Sequence, residues 1–161
     1  MLLVLEGICA CFILLISCVT GIANGPVNMV FFYEKEVQDR VVELGLISRE
    51  KIRKNESLFK LSGISLFFAF IIFAVYGING ARGFREGFIQ LNILLLIEGL
   101  FDRFFIDWYW VGKTRAWIIE GTEDLMPYIY GRTLIIKWVS TLVGYPVMAA
   151  LIAYVMSVIL K

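Results

Sequence analysis

Histidine is absent from all 161 residues, which removes the commonest general base and the commonest transition-metal ligand together. Imidazole-based hydrolytic triads and zinc-peptidase sites are thereby excluded. Cysteine is nearly as sparse. Cys9, Cys11 and Cys18 all fall in the first apolar stretch, without the CxxC spacing of redox or metal motifs, and read as small apolar packing residues. No excess of one charge exists either: 15 basic and 14 acidic residues leave a formal net charge of +1, so no global field would draw in nucleic acid or acidic substrates. Internal repeats, low-complexity tracts and a phosphate-binding loop are also missing. An inverted-repeat transporter built within one chain is not supported, and no cofactor is indicated.

What the chain has instead is apolar length. Hydrophobic residues make up 60 % of it and the mean hydropathy is +0.81, against about 45–50 % apolar residues in an average soluble domain. A membrane helix needs about 20 apolar residues, and four segments qualify: approximately 2–22, 61–78, 88–110 and 134–160. The sequence therefore predicts one all-α membrane domain over 1–161, a polytopic protein of four transmembrane helices with connections at 24–60 and 113–133.

The first segment could instead be a cleaved signal, given the small-x-small site at Gly21-Ile22-Ala23, or a lipidation site at Cys18 within Leu15-Ile16-Ser17-Cys18. No Lys or Arg precedes it, and Glu6 sits where a signal peptide is positively charged, which favours a retained helix.

The first connection opens with Asn24-Gly25-Pro26, a helix-start pattern. Val30, Val37, Val41 and Leu44 then recur at helical spacing opposite Glu34, Lys35, Glu36, Asp39, Arg40 and Glu43. This pattern predicts an interfacial cytoplasmic helix, lying on the membrane or packed under the bundle. Gly45 would end it, and Ser48 would cap a second short helix through Ile52. Lys and Arg concentrate in the first and third connections. The second has only Arg82 and Arg85, and the C-terminus only Lys161. Both termini are accordingly expected outside and the two larger connections in the cytoplasm, in a cell or inner membrane. Trp108, Tyr109, Trp110, Trp117, Tyr128, Tyr130 and Trp138 ring the third connection, as amphipathic side chains do at headgroup depth. Asp124 and Pro127 fit a helix start there.

Function is expected on the third apolar segment, because ionisable groups at membrane depth are costly and face a bundle interior or an aqueous cavity. Glu98 and Asp102 form one i, i+4 pair, and Arg103 and Asp107 a second, about 140° around the helix. Arg103 and Asp107 read as a structural ion pair anchoring the helix near the cytoplasmic headgroups. Burial and mutual repulsion disfavour charge on both Glu98 and Asp102. Two readings stay open for them: a proton or cation site, or neutral acids hydrogen-bonded to Gln90, Asn92, Ser140 or Thr141. Glu6 is expected at the outer surface. Glu120, Glu123 and Asp124 form an acidic cluster that could bind a hard divalent cation through oxygen ligands, or could serve only as helix cap and solvated surface. Along the fourth segment, Ser140 and Gly144, then Ala149 and Ala153, allow close helix approach, and Pro146 should kink the helix.

The runs FDRFFIDWYWVGKTRAWIIEGTED and VVELGLISREKIRKN resemble a group of small four-span prokaryotic membrane proteins with an acidic third helix and a Gly-Thr-Glu-Asp turn. The resemblance covers about a quarter of the chain and implies an architecture, not an activity or a set of site residues. The leading expectation is a transport-type or ion-linked membrane protein using Glu98 and Asp102, working as a homo-oligomer or with a membrane-protein partner. The rival is an accessory or scaffolding protein that docks a partner through its cytoplasmic connections. An intramembrane enzyme is third.

Overall fold

A computed structural model describes residues 2–160; Lys161, counted above for orientation, lies outside the described residues. All regular structure among them is helical. Helix α1 spans Leu2–Ile22 and α2 spans Lys35–Glu43. Helix α3 runs unbroken over Arg49–Ile78, α4 covers 84–111 as Phe84–Phe101 continued by Asp102–Val111, and α5 spans Gly131–Ile159.

Three of these, α1, α3 and α5, are long and apolar enough to cross a membrane. Their outer faces carry large apolar side chains with no protein cover, among them Phe12, Leu61, Phe73 and Leu151, each more than half exposed. A continuous apolar exterior of that kind suits a lipid environment and not water. Helix α4 is equally long but carries too many charges to qualify on apolarity. It packs most extensively against α5 and α1, burying Leu91, Leu94, Leu95, Glu98 and Gly99. Glu98, Arg103 and Asp107 are thus covered by other parts of the protein, while Arg85 and Glu86 near the start of α4 are exposed.

Small residues set the spacing around α4. A Cβ on Gly99 would lie 2.7 Å from Thr141 Cγ2 and 2.8 Å from a ring carbon of Tyr145, so glycine is what lets α5 approach. On α5 itself Ala149 and Ala153 are fully buried, as small-xxx-small spacing leads one to expect, whereas Ser140 is exposed and Gly144 half-buried. The segment Ser140–Gly144 is wound as a π-helix just ahead of Pro146, a wide turn next to the residue that has no N–H to donate.

The two long connections pack on each other and on parts of α1, α3 and α4 as a folded cap, around a core distinct from the helical core at Leu91, Ile71 and Ala149. Tyr33, Trp117 and Tyr128 are buried at its centre, with the Tyr33 and Tyr128 rings 4.7 Å apart. Burial, with Tyr128 alongside, pushes the Tyr33 phenol above its ordinary range. Glu34 ties the cap to α5: its backbone N–H donates to the Tyr128 carbonyl at 3.0 Å, and its carboxylate accepts from the Thr133 N–H at 2.9 Å.

Several local expectations change. In place of one helix from Pro26 to Leu44 there is a 3₁₀ segment, Pro26–Phe32, followed by α2; Val30, Val37 and Val41 face the cap core but Leu44 is exposed. Gly45 does end α2, with φ +70°, a conformation favouring glycine. The Ser48 side chain accepts from the Lys51 N–H at 3.2 Å, but the helix it caps continues through the whole of α3 instead of stopping at Ile52. No helix starts at Asp124 and Pro127. The chain there makes a short 3₁₀ turn, Glu123–Leu125, and α5 begins beyond Tyr130.

The buried hydroxyl of Tyr128 accepts from the Ile119 N–H at 3.0 Å and meets Thr122 Oγ1 at 2.8 Å. Tyr128→Phe would leave both groups without that partner, a cost of about 1–3 kcal/mol. A lower thermal midpoint of the detergent-solubilised protein, with helical content unchanged at low temperature, is the expected outcome.

Candidate functional site

Four ionic side chains converge where the second half of α4 meets the start of α5. Arg103 pairs with both Asp102 and Asp107. Lys137 Nζ, from α5, donates to Asp107 Oδ1 at 2.9 Å. Arg103 and Asp107 are almost fully buried, while the Asp102 and Lys137 side chains keep 18 % and 17 % of their exposure. Two carboxylates and two cations balance, as buried charges must if neither is to be left uncompensated.

The pairing of Arg103 with Asp107 follows from their i, i+4 spacing. Asp102 is placed differently from the expectation of a Glu98–Asp102 pair. It stands at the point where α4 widens into a π-helical stretch, Asp102–Val111, and its carboxylate contacts the neighbouring Arg103 and not Glu98. Wide turns of this kind are rare and recur at functional sites. The widening carries three of the four residues, Asp102, Arg103 and Asp107; Lys137 joins them from α5.

Glu98 is therefore a fifth ionisable group with no cation of its own. It is 3 % exposed, and its Oε2 has no hydrogen-bond partner among the described residues. Tyr145, on α5, packs at the adjoining Gly99 and lies beside Glu98. Gln90, Asn92, Ser140 and Thr141 do not bond to it: the side-chain oxygens of Gln90 and Asn92 are themselves unpartnered, and Thr141 is buried against Gly99.

Lys137 and Tyr145 are the two site residues that reasoning along the sequence missed. Along the sequence Lys137 groups with the basic residues flanking the third connection. It lies inside a helix otherwise apolar enough to span a membrane, and a lysine so placed requires a carboxylate on a neighbouring helix, a signal that was available.

Beside the network lies a groove of about 510 Å³ between α4 and the start of α5. Arg103 and Asp107 are at its polar end, and Phe104, Trp108, Leu134 and Trp138 form its apolar walls. Lys113 stands at its edge with Nζ 4.2 Å over the Trp108 ring, a cation–π contact. A second cavity of about 760 Å³, between α1 and α3, is lined by Ser17, Asn28, Lys51 and Asn55 and touches none of the buried acids.

Glu6 is not at the surface. It is 5 % exposed, and Asn79 Nδ2, one residue past the end of α3, donates to its Oε2 at 2.9 Å. Helix α1 packs against α3, so a residue one turn into α1 meets the end of α3 and not solvent. The acidic cluster of the third connection is dispersed. Glu123 accepts from the Gly121 N–H at 2.9 Å, Asp124 is 3.4 Å from Arg40, and Glu120 is exposed. Among the described residues no group of three potential ligands is positioned to hold a metal ion. Cys11 and Cys18 are buried, Cys9 is exposed, and all three are free thiols.

No protein-family model matches the chain, and neither a curated protein nor a solved structure does. The site's meaning rests on its geometry.

Asp107 lies between two cations, so Asp107→Asn and Lys137→Met should each lower the thermal midpoint, whereas the double variant should lose less than the sum. A coupling of about 1–3 kcal/mol is expected for residues sharing one buried network. Strict additivity in a double-mutant cycle would show that Lys137 and Asp107 act independently.

Proposed function

We propose that the chain is a four-span integral membrane protein, ion-linked or transport-type, in which a proton or cation is taken up at Glu98. The observation that carries this reading is the charge count. Asp102 and Asp107 are matched by Arg103 and Lys137, and Glu98 is left over, buried, on the same helix. A lone carboxyl in such a place holds a proton or a bound cation in order to be neutral. Asp102 then serves as counter-ion to Arg103 and sets the field in which Glu98 exchanges its ion.

In this reading α4 crosses the bilayer too, shielded by α1 and α5, and the cap formed by the two connections faces the cytoplasm of a prokaryotic cell. Work as a homo-oligomer or beside a membrane-protein partner fits the small size. A second reading, an accessory protein that docks a partner through its cap, draws support from the folded core around Trp117 and Tyr128, since a mere linker needs no core.

Orientation is testable by reporter fusion. A reporter following Lys161 should behave as extracytoplasmic and one inserted after Leu46 as cytoplasmic, and the reverse pair of results would overturn the orientation.

The ion site is testable by infrared spectroscopy of the reconstituted protein. A carboxyl band that responds to pH or to added monovalent cation should disappear in Glu98→Gln and survive in Asp102→Asn. Glu98→Gln should still assemble, because the amide keeps a hydrogen-bonding group beside Tyr145. A spectrum without any responsive carboxyl band would remove the ion-linked reading and leave the accessory one.

A further inference from the structure

The groove between α4 and α5 has the two-part chemistry of an amphiphile site, and we propose that it holds one anionic phospholipid of the surrounding bilayer. Its walls are apolar and open outward: Phe104 and Trp108 are 58 % and 60 % exposed, which in a membrane means exposed to acyl chains. Trp138 stacks edge-on against Phe104, ring centres 5.6 Å apart, so the wall is a rigid aromatic surface built from both helices. An acyl chain laid along it removes apolar area from contact with polar groups at the groove's inner end and fills space that the two helices leave open.

The polar end carries a net positive charge. Lys137 and Asp107 neutralise each other, as do Arg103 and Asp102, and the remaining charge is Lys113. Lys113 is exposed and held over Trp108 at the groove's edge, at the depth where the aromatic residues around the third connection mark the headgroup layer. Arg103 supplies the second observation. It is more than nine-tenths buried, lines the groove, and its Nε has no hydrogen-bond partner among the described residues. A guanidinium N–H left over from two carboxylate contacts can donate to a phosphate oxygen. A phosphodiester held by Lys113 would approach Arg103 in the same lining and lay its chains on the aromatic wall. A zwitterionic headgroup would bring its own cation towards Lys113 and fits less well. This site is separate from the ion at Glu98, which does not line the groove, and does not depend on it.

Native mass spectrometry of the full chain in non-ionic detergent, with equimolar phosphatidylglycerol and phosphatidylcholine, tests the assignment. One phosphatidylglycerol should be retained several-fold over phosphatidylcholine. Lys113→Gln, at an exposed position that does not threaten folding, should abolish the preference. Lys51→Gln, in the other cavity, should leave it intact, and Leu134→Trp, which fills the groove, should reduce retention of both lipids. Equal retention of the two lipids by the wild-type chain would overturn the proposal, as would a preference unchanged by Lys113→Gln. Displacement of the lipid by millimolar inorganic phosphate would also overturn it, by showing a soluble anion to be the occupant.

Discussion

A charge buried among helices must meet its opposite, and the arrangement of this chain turns on that constraint. Arg103, Asp102, Asp107 and Lys137 satisfy one another only if the second half of α4 lies against the start of α5. That requirement specifies which helices are neighbours and in what register far more sharply than apolar contacts can, since lipid tails are as apolar as leucine. Gly99 then permits the approach, with Thr141 and Tyr145 packed where any larger residue would collide. Desolvation makes such networks weak sources of net stability. Their value here lies in uniqueness, because a shifted register would leave cations and carboxylates unpaired in a medium without water.

Glu98 gains its meaning from the same constraint. On the sequence it is one of four charges in the third apolar segment. In the fold it is the one of those four without a counter-charge, beside Tyr145 and close to a balanced set of ions. The groove with Lys113 in its lining includes Arg103 and Asp107 but not Glu98. The two proposed events, ion uptake at Glu98 and lipid contact at the groove, thus draw on one network at different residues.

Much of this was legible along the chain where the physics is local. The apolar lengths of α1, α3 and α5, the Ser48 cap, the Gly45 stop and the Arg103–Asp107 spacing all depend on residues within a few positions of each other. What was not legible depends on residues far apart. Lys137 reaches Asp107 across 30 positions and Asn79 reaches Glu6 across 73, and no periodicity within either segment announces the meeting. Asp102 contacts Arg103 and not Glu98, because a carboxylate takes the nearest cation over a like charge one turn away, which spacing alone does not weigh. The cap was read as two separate connections, although Tyr33, Trp117 and Tyr128 were visible as aromatics. Their burial together follows from the two connections packing on each other, which neither shows alone.

The central claim is that α4, despite its charges, runs through the bilayer shielded by its neighbours. Spin labels placed singly at Ile89, Ile93, Leu100 and Phe104, in a cysteine-free background reconstituted into vesicles, report this directly through their collisions with oxygen and with a water-soluble nickel chelate. Oxygen should dominate at Ile93 and Leu100, with nickel access rising towards Ile89. Nickel access at all four positions would place α4 in water and contradict the account.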